Sequence, residues 1–144
     1  KSIEQRTKVH LRECDKELLK RGIKFFPVTL GPMRKLTSRG ITLRRTLENK
    51  HFQVIEVYPG GAQDTLKIPR KQKGLNKLRT GLEEEGIKGL NDKMNDHELD
   101  AVTCALVGKL FLEGKTITYG TREQAIVMPK RETKRKRTDT RAIK

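Results

Sequence analysis

FQVIEVY, residues 52–58, constrains the fold of this chain more than any other stretch. It is rich in β-branched and aromatic residues and, Gln53 and Glu56 apart, apolar at both alternating sets of positions. That pattern predicts a central strand covered on both faces, which needs helical layers above and below it. The surrounding patterns supply them. Leu11, Cys14 and Leu18 predict a helix within residues 3–21 that stops at Gly22, and Met33, Leu36, Leu43 and Leu47 predict a second over 33–47, bent near Gly40. Leu75, Leu78 and Leu82 predict a third over 71–85, ended by Gly86, and residues 95–110 predict a fourth. FFPVTLGP, residues 25–32, is expected as loop and PGGAQ, residues 59–63, as a turn. KTITYG, residues 115–120, and AIVMP, residues 125–129, predict a short β-hairpin, so the class expected is α/β.

With 144 residues the chain fits one domain, expected over 1–129, but 35% charged and 33% hydrophobic residues and no Trp leave only a small core. The formal charge is +15, from 33 Lys and Arg against 18 Asp and Glu. That excess favours a polyanionic partner through counterion release, and nucleic acid, DNA or RNA, is the natural one. The competing explanation is a cytosol in which lysine is simply abundant. The exposed bases expected to meet phosphates are Arg34, Lys35, Arg39, Arg44 and Arg45 on the second helix and Lys134, Arg135, Lys136 and Arg137 near the end. The segment 130–144 carries eight bases and two acids with few apolar side chains, which predicts a flexible basic tail. Its KRKR run also has the composition of a nuclear address, though solvated charge is the commoner reading. Few aromatic residues are available to stack on bases, which disfavours a single-strand reader.

Cys14 and Cys104 lie far apart with no C-x-x-C spacing, which points to a reduced, cytoplasmic protein without structural zinc. No apolar run approaches the length of a membrane span, so no membrane partner is expected.

Two carboxylates call for a reason. Asn95 and Glu98 have capping-box spacing, which starts the fourth helix and puts Asp100 one turn inside it. Between Leu99 and Leu112 the other polar side chains are only Thr103 and Lys109, while Ala101, Cys104, Ala105 and Gly108 would let that helix lie close to a sheet. His97, three positions before Asp100, is expected on the same face. Glu56 sits between Ile55 and Val57 near the carboxyl end of the predicted strand, where open α/β sheets place their ligands. An unpaired carboxylate in such surroundings is costly, and a divalent cation held between Glu56 and Asp100 would satisfy both. The plainer alternative pairs each with one of the many bases. PGGA lacks the G-K-[ST] ending of a phosphate loop.

Taken together, VIEVYPGGA, then a basic helical stretch, then HELDAVTCAL followed by GTREQAIVMP resembles the family of predicted nucleases with a ribonuclease H-like fold, related to Holliday-junction resolvases. LRECDKELLKRGIKFFP, with Arg12, Cys14 and Asp15, resembles that family's Arg-x-Cys-Asp segment. The resemblance spans about residues 10–129 and rests on the order of several weak motifs. It implies a metal-dependent nuclease using Mg2+ or Mn2+, with Glu56 and Asp100 as catalytic metal ligands and His97 as accessory ligand or proton donor. Such folds begin with a three-stranded meander whose first strand carries a metal-bridging Asp. FFPVTL does not replace it. The resemblance therefore implies that this chain is a C-terminal portion whose first strands lie upstream of Lys1; the alternative is a member that binds nucleic acid without cutting it.

Overall fold

The computed structural model describes residues 11–121 and 124–130. Among them the chain forms five α-helices, one 3-10 turn and a two-stranded antiparallel sheet, a mixed α/β arrangement. The helices are α1 (Glu13–Lys20), α2 (Gly31–Glu48), α3 (Pro59–Leu66), α4 (Leu75–Glu84) and α5 (Asp96–Leu112), with the 3-10 turn Lys71–Lys73 between α3 and α4. Strands β1 (Thr116–Tyr119) and β2 (Ile126–Pro129) pair with Ile117 opposite Met128 and Tyr119 opposite Ile126.

Every residue of β2 is buried, so this strand, and not residues 52–58, is the one covered on both faces. Ile126 and Met128 pack on one side with Cys14 and Leu18 of α1 and with Tyr119. Val127 packs on the other side with Ala62 of α3 and Val107 of α5. A third group, Ile68, Leu78, Leu82, Leu99 and Leu106, joins α4 to α5 behind that layer.

Residues 52–56 run extended but make no ladder among the described residues; Val57 alone bridges Val127, in parallel sense. The β-propensity of FQVIEVY is thus expressed as extended backbone, because a strand also needs neighbours along its length. PGGAQ is helical, not a turn. Pro59 occupies the first helical turn, where its missing N–H costs nothing, and Gly61 permits a close approach. A Cβ there would stand 2.7 Å from Tyr58 and 2.9 Å from Met128.

The expected helix over 71–85 is divided at Gly74, whose φ of +115° an L-residue rarely adopts. Leu78 and Leu82 are buried as predicted, whereas Leu75 is exposed. Helix α2 is continuous through Gly40, and none of its 18 residues is buried. Leu36 and Leu43 on the apolar stripe face solvent, as do Arg34, Lys35, Arg39 and Arg45. The small side of α5 is also reversed from expectation: Ala101 and Ala105 are exposed and a Cβ on Gly108 would meet nothing, while Leu99, Thr103, Leu106 and Val107 are buried. Larger apolar side chains gain more by burial than alanine does, so they take the inner face. The basic tail, with Lys134, Arg135, Lys136 and Arg137, lies outside the described residues. No helix among the described residues is long and apolar enough to cross a membrane.

Candidate metal centre

The pleat decides where Glu56 goes. Ile55 and Val57 pack with Val107 and Phe111 of α5, so alternation sends Glu56 and Tyr58 to the opposite face, beside α1. There Arg12 Nη1 donates to both Glu56 oxygens, at 2.7 and 3.0 Å. The same guanidinium grips Asp15 through Nε at 3.1 Å and Nη2 at 3.0 Å, while the Arg12 backbone N–H donates to Asp15 at 2.9 Å and so caps α1. Arg12 and Asp15 are buried, and the Glu56 side chain is about one-third exposed. Burial pulls the Arg12 pKa down, but the Asp15 hydrogen bonds and the Glu56 charge outweigh it and the guanidinium stays charged. The planar fork with its five donors makes this double pairing possible.

Asp100 belongs to the layer on the other face. Its helix begins as predicted: the Asn95 side chain accepts from the Glu98 N–H at 3.0 Å, and Glu98 accepts from the Asn95 N–H at 2.7 Å. One Asp100 oxygen accepts from Gln63 Nε2 at 3.2 Å; the other accepts from Lys71 Nζ at 3.3 Å. Gln63, buried in α3, also donates to the Thr103 hydroxyl at 3.1 Å, which in turn donates to the Leu99 carbonyl at 2.9 Å. This buried chain fixes the direction in which Asp100 points. Lys71 reaches a second carboxylate, Asp96, at 2.8 Å. The Asp96 hydrogen bond raises the Lys71 pKa, and Lys71 in turn holds the Asp96 carboxyl below its ordinary range.

The residue that joins Asp100 is therefore Asp96, one helical turn before it, and not His97. The His97 side chain is 88% exposed and, among the described residues, forms an ion pair only with Asp96, at 4.0 Å. Both i−3 and i−4 fall near one face of a helix, and here the lysine selects i−4. Nor are Glu56 and Asp100 joined: they share no hydrogen-bond partner among the described residues, and each has a base of its own. No group of three or more His, Cys, Asp or Glu suited to a metal ion occurs among the described residues. Asp96, Lys71 and Gln63 are the partners that sequence reasoning missed at Asp100. The Asp96–Asp100 spacing was legible, but Gln63 was hidden in a segment read as a turn.

Neither cysteine offers a nucleophile. Burial raises the Cys14 thiol to about 12 and the Cys104 thiol to about 11.

Both ion clusters carry the same charge. Arg12 with Asp15 and Glu56, and Lys71 with Asp96 and Asp100, each set two carboxylates against one base, leaving a net −1. In a chain of +15, sharing a base is not forced by scarcity. The donors at Asp96 and Asp100 suit a hard divalent ion, which takes one or two protein carboxylates and completes its shell with water. Glu56 suits it less, since both its oxygens already accept from Arg12. Comparison with protein-family models, curated proteins and solved structures finds no match to this chain.

Proposed function

We propose that the chain is a divalent-metal-dependent nuclease that hydrolyses phosphodiester bonds of nucleic acid, working in the cytoplasm with Mg2+ or Mn2+. The observation that carries this reading is the Asp96–Asp100 pair: two partly exposed carboxylates one turn apart, one of them aimed by a buried amide, sharing a single ammonium. A bound ion would supply Lewis-acid polarisation of a phosphoryl oxygen and activation of water. The chain's own part is to hold and orient. Gln63 and Thr103 fix the direction of the Asp100 carboxylate. Glu56, the other ligand implied by the resemblance to ribonuclease H-like nucleases, is held by Arg12 beside α1 and stands apart from the Asp96–Asp100 pair, so it is left out of this centre.

Phosphates would be held without sequence reading by exposed bases. Lys67 and Lys73 line a cleft next to Lys71 that also holds the Arg70–Asp64 ion pair, and α2 presents Arg34, Lys35, Arg39, Arg44 and Arg45 on a helix with no buried residue. That same helix favours a second reading, a basic nucleic-acid-binding module without catalysis.

One assay separates the two. Asp100→Asn should lower Mg2+- or Mn2+-dependent cleavage of labelled nucleic acid by more than the about 10- to 100-fold that loss of an outer-sphere partner costs. Salt-dependent binding should remain. Cleavage retained in the variant overturns the assignment of Asp100, and binding without metal-dependent cleavage in the unaltered protein establishes the second reading.

A further inference from the structure

Helix α2 is 18 residues long, yet none of its residues is buried and none of its apolar side chains joins the three packed groups of the core among the described residues. Its sequence supports it poorly alone. Thr37, Ser38, Gly40, Thr42 and Thr46 are weak helix formers, the first turn carries no acid, and no side chain caps the N-terminus. An unpacked helix of this composition is marginal in water, because helical stability in proteins comes mainly from a covered apolar face. Such a face exists here. Met33, Leu36, Gly40, Leu43 and Leu47 follow one another at alternating three- and four-residue spacing and form a single narrow stripe. Leu36 and Leu43 are 61% and 59% exposed. Gly40 lies between them with open space where a Cβ would stand, so a second backbone can come close.

We infer that the leucine stripe of α2 is a docking surface for an acidic amphipathic helix of another protein. Charge decides between the occupants. The helix carries five bases against one acid, Glu48, a net +4, so a second copy of the chain would set like charge against like. Arg39 and Arg44 border the stripe on its two sides, where glutamates flanking the leucines of a partner helix would stand. Glu48 answers Arg44 at 2.7 Å, while Arg39 is exposed and forms no ion pair among the described residues. Nucleic acid would satisfy these arginines but offers little to Leu36 and Leu43. A bilayer would take the leucines but gains nothing from a glycine in the middle of a narrow seam, whereas a partner helix packs closer there. Arg34 and Arg45 lie behind the stripe and stay open to phosphates, so this docking goes beyond the nuclease reading and does not depend on it.

The probe is a labelled synthetic helix with leucines at the same alternating spacing and glutamates beside them, titrated with the 144-residue chain and followed by fluorescence anisotropy. Saturable binding is expected, with the methyl resonances of Leu36 and Leu43 shifting as it occurs. Leu36→Gln combined with Leu43→Gln should weaken it at least about tenfold. Both leucines are exposed in the free chain, so circular dichroism should show the fold unchanged. Arg39→Gln should weaken binding about two- to fivefold and flatten its salt dependence. Absence of saturable binding overturns the docking. Binding indifferent to the leucine pair also overturns it, since charge alone would then be at work. Self-association of the unaltered chain that the leucine pair abolishes assigns the stripe to a second copy instead. Phosphatidylglycerol vesicles or duplex DNA that bind where the peptide does not, and lose affinity with the same leucine pair, overturn it likewise.

Discussion

Arg12 joins parts of the chain that are 44 residues apart, since its guanidinium holds Asp15 three positions away and Glu56 at the end of the extended segment. Removing it strands a buried Asp15 and a partly buried Glu56 without compensation. Losing one member of a buried ion pair costs about 3–5 kcal/mol, and the partial exposure of Glu56 puts the expected loss for Arg12→Met near the lower end, about 3 kcal/mol. Urea unfolding measures it, and an unchanged midpoint would show that the cluster contributes nothing to the fold. The sequence displayed half of this arrangement. Arg12 and Asp15 are close enough to pair locally, but no local pattern says that Glu56 will meet them, because that depends on which face of the segment turns towards α1. Asp100 was legible as an unusual carboxylate for a different reason: its apolar surroundings mark it wherever the helix docks. Its partners were not legible, since Gln63 and Lys71 arrive from elements 37 and 29 residues away.

At the scale of elements, two glycines in helices make opposite demands. Gly40 lies inside α2, and a Cβ added there would meet nothing within 4 Å, so Gly40→Ala removes unfolded-state entropy without a clash and should stabilise by about 0.5–1 kcal/mol. Gly81 lies inside α4, where a Cβ would stand 2.7 Å from the buried Ile68 side chain. Gly81→Ala should therefore destabilise by about 1 kcal/mol, overpacking outweighing the helix-propensity gain. Thermal melts of both variants check the pair, and equal shifts of one sign would contradict the packing described. The helices α1, α2 and α4 and the hairpin were legible because 3.6-residue and alternating periods survive in their sequences, and α5 because the Asn95–Glu98 capping box marks its start. Residues 52–58 and 59–63 were not. Strand character depends on neighbours that a run of residues does not specify, and Pro-Gly-Gly opens a helix as readily as a turn when the glycines are needed for close packing.

For the molecule as a whole, a formal charge of +15 coexists with two small clusters in which acids outnumber bases. Under the proposed function the bases would draw in a polyanion and the Asp96–Asp100 pair would hold a divalent cation. The basic surface was readable from composition alone, while the location of the negative clusters required the fold. The central claim is that Asp96 and Asp100 hold a divalent ion. It is tested most directly by a Mg2+ titration followed by NMR of the side-chain carboxylate carbons in the 144-residue chain. Saturable shifts at Asp96 and Asp100, with exposed acids such as Glu48 and Glu98 unmoved, are the predicted result. No saturable change at this pair, or a uniform drift across all exposed carboxylates, would contradict it.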